Sequence, residues 1–305
     1  MLQQTTVKAV KPYYERFVAR FPTLGHLARA PVDRVLAAWS GLGYYRRARH
    51  LHAAARLVRS RHGGRLPDSP GDLLALPGIG RYTAGAILSI AYGRREPLVD
   101  GNVARVLSRL LLLRGDPRSS SAQSRLWAAA RTLVEASGAP GDLNQALMEL
   151  GASVCAPAAP DCPACPAAFA CAARAAGVQE KVPGRRRAAP TVRLRQIVAL
   201  VRRDGRVLVR RRGRTGLMDG LWELPVVRAD GRDGSHDELR IALGRRLAGL
   251  SHSVTFRRFD VEVRQARLLE EPRGRGFRWV DPAAARRLPA SSLLPKILDR
   301  IGALD

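Results

Sequence analysis

The apolar residues follow two different periods along the chain. Up to about residue 150 they recur every three or four positions, the mark of amphipathic helices. Val32, Val35, Leu36 and Trp39 follow Pro31, a residue favoured at a first helical turn, and Gly41 and Gly43 end that stretch. A second helix is predicted from about Tyr45 to His62, with Leu51, Ala55 and Val58 on one face and Gly63-Gly64 after it. A short helix, Asp72 to Leu76, meets the turn Pro77-Gly78-Ile79-Gly80, and a longer one spans Thr83 to Tyr92. After Asp100-Gly101, Val103, Val106, Leu107 and Leu110 form a helical stripe. Asp142 and Gln145 read as a capping box opening a helix that ends near Gly151. From Gln196 the apolar runs become short. Ile197–Val201 and Val207–Val209 flank Asp204-Gly205, a hairpin signal. Further strands are predicted at Leu221–Val227, Val254–Val263 and Phe277–Val280, with helices near 237–248 and 291–303.

The chain is therefore read as multidomain, an all-α part followed by an α+β part, with no internal repeat. Its 305 residues suffice for two cores. The expected division is a helical domain over 1–172, a Pro- and Arg-containing linker over 173–193 and a second domain over 194–305. No apolar run approaches the roughly 20 residues that span a bilayer, and the start shows no secretory pattern. A cytoplasmic monomer with no membrane partner is the expectation. The net charge of +26 suits a polyanionic partner. Yet 48 of the 52 basic residues are arginine, which a GC-rich genome also produces, so nucleic-acid binding has to rest on motifs.

All four cysteines lie in one short segment, as Cys155-x6-Cys162-x2-Cys165-x5-Cys171. Such clustering in a large chain without a signal peptide reads as a metal site, not a disulfide framework. Four thiolates suit either zinc or an iron–sulfur cluster, although only one Cys-x2-Cys pair occurs. Pro157, Pro160, Pro163 and Pro166 keep the segment extended.

Gly78 and Gly80, between two predicted helices, let backbone N–H groups approach a phosphate. A dinucleotide fold is excluded, because no strand precedes the turn and Thr83 stands where a third glycine is needed. Asp100 reads on its own as a helix N-cap. Together, Leu76-Pro77-Gly78-Ile79-Gly80-Arg81-Tyr82-Thr83, Val99-Asp100-Gly101-Asn102-Val103 and the cysteine spacing resemble the endonuclease III superfamily of helix-hairpin-helix DNA glycosylases. That resemblance implies a structural [4Fe–4S] cluster over 155–171, held by Cys155, Cys162, Cys165 and Cys171, a DNA-binding hairpin at Gly78, Gly80 and Arg81, and Asp100 as the catalytic carboxylate. The chemistry asks for such a group: breaking an N-glycosidic bond builds positive charge on the sugar, and a fixed anion steadies it.

Superfamily members that also cleave the DNA strand carry a Schiff-base lysine two residues after the second hairpin glycine. Here that residue is Tyr82, and no lysine lies between Lys11 and Lys181. The closer resemblance, over nearly the whole chain, is to the MutY-type adenine DNA glycosylases. It implies double-stranded DNA with 8-oxoguanine:A or G:A mispairs as partner and hydrolysis of the adenine N-glycosidic bond. Met1-Leu2-Gln3-Gln4-Thr5 resembles that family's opening motif, which places Gln3 and Gln4 against the duplex. Gly41-Leu42-Gly43-Tyr44-Tyr45 resembles its lesion-side loop, implicating Leu42 and Tyr44, and Tyr82 and Asn102 match active-site positions.

The second half resembles the family's Nudix-like domain, through Gly216-Leu217-Met218-Asp219-Gly220-Leu221-Trp222-Glu223-Leu224-Pro225. A Nudix hydrolase needs a carboxylate-rich box. Only Asp237-Glu238-Leu239-Arg240 and then Arg245-Arg246 are found, so the domain is expected to bind and not hydrolyse. Val254-Thr255-Phe256 takes the register of the family's Phe-Ser-His tip, assigning Thr255 to 8-oxoguanine, with Ser251-His252 as an out-of-register candidate. Arg185, Arg186 and Arg187 are expected to track phosphates. The family's general-acid glutamate stands two residues before the opening motif, where this sequence begins. The expectation is a longer native enzyme, the alternative a shortened chain that binds oxidised DNA without excising adenine.

Overall fold

The computed structural model describes residues 1, 5–184, 190–213, 218–227, 239–254, 256–272 and 276–302. They fall into two compact units, one made of Met1–Arg59 with Ala189–Asp305, the other of Ser60–Ala188. This division differs from the one read off the sequence, because Met1–Arg59 shares its core with the C-terminal segment. Leu221 is buried in the cluster formed by Val10, Phe17, Val35, Leu36 and Trp39.

In the first unit, helices α1 (Val7–Arg20), α2 (Leu24–Arg29), α3 (Val32–Trp39) and α4 (Tyr45–Arg61) follow the predicted periodicity. Thr6 and Thr23 cap α1 and α2 by accepting from the N–H groups of Ala9 and His26. The Phe17 ring stands edge-on to Trp39 at 5.8 Å.

The same unit holds strands β1 (Val192–Arg203), β2 (Arg206–Arg211), β3 (Trp222–Glu223), β4 (Val226–Val227), β5 (Ile241–Val254), β6 (Arg257–Leu268) and β7 (Phe277–Val280). Their order is β3-β2-β1-β6-β5, with β4 added to β1 and β7 to β2. β1 and β6 run parallel, and the other pairs are antiparallel. Asp204 and Gly205 both take positive φ, 47° and 71°, as the predicted two-residue hairpin requires. Leu294, Ile297, Leu298 and Ile301 of the terminal helix, Leu293–Gly302, pack on Val198, Leu200, Val261 and Val263. Each such buried side chain contributes about 1.5–3 kcal/mol.

Three expectations are corrected here. The helix near 237–248 is strand from Ile241 onward, because Ile241–Val254 pairs with β6 along its length and tertiary pairing overrides local spacing. The run Leu221–Val227 is broken at Leu224-Pro225 into β3 and β4, since proline cannot donate to the ladder. The strand expected from Val254 begins at Arg257.

The second unit contains α5 (Pro70–Leu74), α6 (Arg81–Ala86), α7 (Gly101–Leu110), α8 (Ser120–Ala136), α9 (Pro140–Ser153) and α10 (Ala172–Ala175). Leu98, Val103, Val106, Leu107, Leu126, Ala130 and Leu147 form its core. Two further corrections fall here. The predicted Thr83–Tyr92 helix is α6 followed by a π-helical turn, Ile87–Ala91. The Asp142–Gln145 capping box does not form, because α9 opens earlier, on Pro140, and Asp142 lies in its first turn. Residues 173–184, within the stretch read as linker, dock on this unit: Ala173 and Val182 are buried, and the Gly184 N–H donates to the Gly115 carbonyl at 2.8 Å.

Gly85 sets the approach of α6 to the segment that precedes Asp100. A Cβ there would stand 2.1 Å from the Pro97 carbonyl oxygen, backbone that cannot swing aside. Gly85→Ala is expected to cost about 1–3 kcal/mol through overpacking. A lowered midpoint in urea denaturation checks this, and an unchanged midpoint contradicts it.

Candidate active site

Asp100 is the N-cap of α7. Its Oδ1 accepts from the Val103 N–H at 2.7 Å, so the cap reading and the carboxylate reading describe the same geometry. Buried Leu98 and Val99 fix the chain just before it.

Tyr82 lies on the first turn of α6, half-buried, and its hydroxyl donates to the Met148 sulfur at 3.4 Å. Burial, and then the nearby Asp100 charge, raise its phenol above the ordinary value, so it stays protonated at neutral pH. Asn102 turns to a different task. Its Oδ1 accepts from Arg105 at 2.9 Å, and Arg105 also donates to the carbonyls of Gly151 at 2.6 Å and Cys155 at 2.8 Å. Asn102 thus helps fasten α7 to the end of α9 and the start of the cysteine segment.

In the hairpin turn Gly78 takes φ +81°, which calls for glycine. Gly80 is extended and caps α6 without a side-chain bond, and open space surrounds the place of its missing Cβ. The Arg81 guanidinium lies 3.8 Å from the centroid of the Trp127 ring.

Cys155, Cys162, Cys165 and Cys171 are free, half-buried thiols lining one small cavity. Burial, and then the neighbouring Cys171, Cys155 and Cys165, raise the Cys162 thiol. Among the described residues no three Cys, His, Asp or Glu side chains form a site for a single ion. A mononuclear zinc site holds its sulfurs about 3.8 Å apart, from a Zn–S bond of about 2.3 Å in a tetrahedron. Four thiolates lining one cavity can also serve a four-iron cluster, each binding a different iron.

Arg109, which the sequence reading passed over, is the buried link to this loop. At 2% exposure it donates to the Cys155 sulfur at 3.1 Å and to the carbonyls of Ala156 at 2.8 Å and Val182 at 2.9 Å. Arg105 and Arg109 stand four apart on α7, on the side away from the Val103, Val106, Leu107 and Leu110 stripe, so helical spacing gave no signal of their burial.

The first unit carries a separate cleft of about 690 Å³, lined by Gly41–Arg46, Arg49, Met218, Asp219, His252–Val254, Ser291 and Ser292. Its loop is built under constraint. Gly41, Gly43 and Tyr44 all take positive φ, the Trp39 indole N–H donates to the Gly43 carbonyl at 3.1 Å, and the Gly41 N–H donates to the Tyr45 hydroxyl at 3.2 Å. Tyr45 in turn donates to the Ala290 carbonyl at 2.5 Å, and Arg49 to the Asp219 carbonyl at 2.6 Å. Tyr44 is left 46% exposed, whereas Leu42 is buried in the core. Burial, and then Lys296, push the His252 imidazole below its ordinary value, which keeps it neutral. Gln3, Gln4, Thr255 and Arg185–Arg187 lie outside the described residues.

Residues 1–131 match the family model described as HhH-GPD superfamily base excision DNA repair protein, and residues 197–300 match the NUDIX domain model. The chain is 46% identical over 183 residues to the human adenine DNA glycosylase, covering 60% of this chain and 33% of that protein. It is 40% identical over 155 residues to the adenine DNA glycosylase of Buchnera aphidicola subsp. Acyrthosiphon pisum, covering 51% and 44%. Against that of Arabidopsis thaliana it is 35% identical over 260 residues, covering 74% and 41%. The chain thus spans 33 to 44% of the length of these relatives. The solved structure of a thermostable thymine-DNA glycosylase is 30% identical, with a TM-score of 0.49, over 56% of this chain and 78% of that one.

Proposed function

We infer that this chain, a MutY-type member of the HhH-GPD superfamily of base excision DNA repair proteins, hydrolyses the N-glycosidic bond of adenine mispaired with 8-oxoguanine or guanine in duplex DNA. The observation that carries the reading is the Asp100 carboxylate, fixed by its own helix cap at the start of α7.

As the bond from C1′ to the base breaks, positive charge grows on the deoxyribose. Asp100 stabilises that charge without rearranging, because the Val103 N–H already holds it in place. Water adds at C1′ and the departing adenine takes up a proton, so the balance is hydrolysis and leaves an abasic site. Protonated Tyr82 lines the site and provides no amine for a Schiff base.

Gly78, Gly80 and Arg81 take a backbone phosphate, and the loop of Leu42 and Tyr44, with Gln3, Gln4 and Thr255, reads the mispair. Residues 1–172 carry the excision and 194–305 the reading of the 8-oxoguanine strand, without nucleotide hydrolysis. Cys155, Cys162, Cys165 and Cys171 would hold a [4Fe–4S] cluster, which supplies a rigid tie for the loop. The reading takes the chain as a monomer of the cytoplasm, a compartment that keeps thiols reduced.

A duplex with adenine opposite 8-oxoguanine tests the reading under single-turnover conditions. Free adenine is expected, with a strand that breaks only on alkali treatment and no protein–DNA adduct on borohydride reduction. Adenine that stays in the duplex overturns the reading, and a trapped adduct overturns the purely hydrolytic chemistry.

A further inference from the structure

The strand register places like charges directly opposite one another on one face of the C-terminal sheet. Arg193 of β1 is opposite Arg258 of β6, and Arg246 of β5 is opposite Arg264 of β6. Side chains two apart along a strand share a face. Arg193 and Arg195 therefore stand together, with Arg258 beside them, Ser251 and Ser253 across from Asp260 and Arg258, and Arg264 further along β6, opposite Ala199.

Like-charged cross-strand pairs are destabilising. The large number of arginines in this chain explains how many there are, but gives no relief to two pairs set face to face. Their geometry is also held. Register shifts flank Arg246 on both sides, and its guanidinium lies over Gly249, where a Cβ would meet it at 2.5 Å. Arg258 donates to the Ser251 hydroxyl at 3.0 Å, and Arg264 to the Gly244 carbonyl at 2.9 Å.

Against these five guanidiniums the described residues of the face set two carboxylates. Asp260 is opposite Arg195, and Glu262 pairs with Arg264 at 3.8 Å. The face is open: Arg193, Arg195, Arg246, Arg258, Ser251 and Ser253 are all exposed. The opposite face carries the core against the terminal helix, and on the arginine face a second cluster, Ala199, Val201, Leu208 and Ala266, begins only where Ala199 stands opposite half-buried Arg264. At one end the row reaches the β5–β6 turn, where Phe256 is 48% exposed with the Arg257 guanidinium 5.3 Å from its ring.

We propose that this open sheet face is a second DNA contact, a phosphate track formed by Arg193, Arg195, Arg246, Arg258 and Arg264 that leads away from the lesion-reading turn along the duplex. The proposal rests on the reading that the chain acts on duplex DNA. Arg193 and Arg195 lie about 6.6 Å apart along β1, from a rise of about 3.3 Å per residue, so they can engage successive phosphates of one strand. A phosphate set between the paired guanidiniums turns their repulsion into a bidentate clamp. Backbone contacts of this kind add affinity without reading sequence.

The test uses the full chain and two double variants, Arg193→Ser with Arg258→Ser and Arg246→Ser with Arg264→Ser. Binding to an undamaged duplex is measured over a series of salt concentrations, alongside single-turnover adenine release and thermal melting. Each double variant is expected to lower the salt slope by about 0.9, the share of the one phosphate that its pair clamps. It should bind roughly tenfold more weakly at low salt and melt no lower than the parent, because a repulsive pair is gone. Adenine release at saturating protein stays the same. Lysine at the same two positions restores the slope, which a merely structural role does not predict. If slope and affinity match the parent while adenine is still released, the face does not touch DNA, as when it serves an acidic protein, and the proposal falls with the glycosylase reading intact. If the parent releases no adenine, the glycosylase reading falls, and the duplex-binding comparison still decides the face.

Discussion

Asp100→Asn is expected to slow adenine release about a thousandfold while leaving the protein folded and able to bind duplex DNA. The substitution isolates charge from structure. Asparagine caps helices as well as aspartate does, and its side-chain oxygen can still accept from the Val103 N–H now held at 2.7 Å. Only the negative charge is lost. A carboxylate roughly 4 Å from a developing sugar cation is worth about 4 kcal/mol at an effective dielectric constant of about 20. At about 1.36 kcal/mol per factor of ten, the loss is about a thousandfold in the single-turnover rate. Affinity for an 8-oxoguanine:A duplex should hold or rise, because an anion has left a surface that meets phosphates. Asp100→Ala is the contrasting variant. It loses charge and cap together, so its melting temperature falls by the equivalent of about 1 kcal/mol as well. Release by Asp100→Asn at the parent rate removes the carboxylate from the mechanism.

The parts of the molecule that were legible in the sequence are those whose physics is local. The cap at Asp100, the stripe of Val103, Val106 and Leu107, the Asp204-Gly205 turn and the cysteine spacing each depend on neighbours a few residues away, and each stands where it was expected. What was misread depends on distant partners. Ile241–Val254 is a strand because β6 lies alongside it, a fact held in residues 257–268 and not in its own spacing. The same cause hid Arg105 and Arg109. An arginine on the polar side of an amphipathic helix reads as solvated until its acceptors are known, and those of Arg109 lie 46 to 73 residues further along. The bond of Asn102 with Arg105 was out of reach for this reason too, since Arg105 is also engaged with Gly151 and Cys155. The shared core of Met1–Arg59 with the C-terminal segment was equally out of reach of a reading that proceeds along the chain.

Arg109 provides the second large effect, because it is a buried charge whose neighbours have been arranged around it. Arg109→Met keeps length and apolar volume but removes every donor. The buried carbonyl of Val182, and the half-buried carbonyl of Ala156 and sulfur of Cys155, all within 3.1 Å of the guanidinium, then lose their donor. Stranding a buried acceptor costs about 1–3 kcal/mol, and hydrogen bonds from a charged donor are individually among the stronger ones. Two or three stranded groups amount to roughly 3–5 kcal/mol, a large share of the roughly 5–15 kcal/mol that holds a folded domain. The loss falls where the cysteine segment and residues 172–184 are tied to α7, so the loop should loosen before the rest of the unit does. The expected result is protein that carries little iron or acid-labile sulfide per chain and melts well below the parent. Arg109→Lys, which keeps the charge but cannot fork to several acceptors at once, should fall between the two. A methionine variant with the parent's iron, sulfide and melting temperature would show that the guanidinium holds nothing in place. Iron and sulfide lost without any change in melting would instead confine Arg109 to the thiol site.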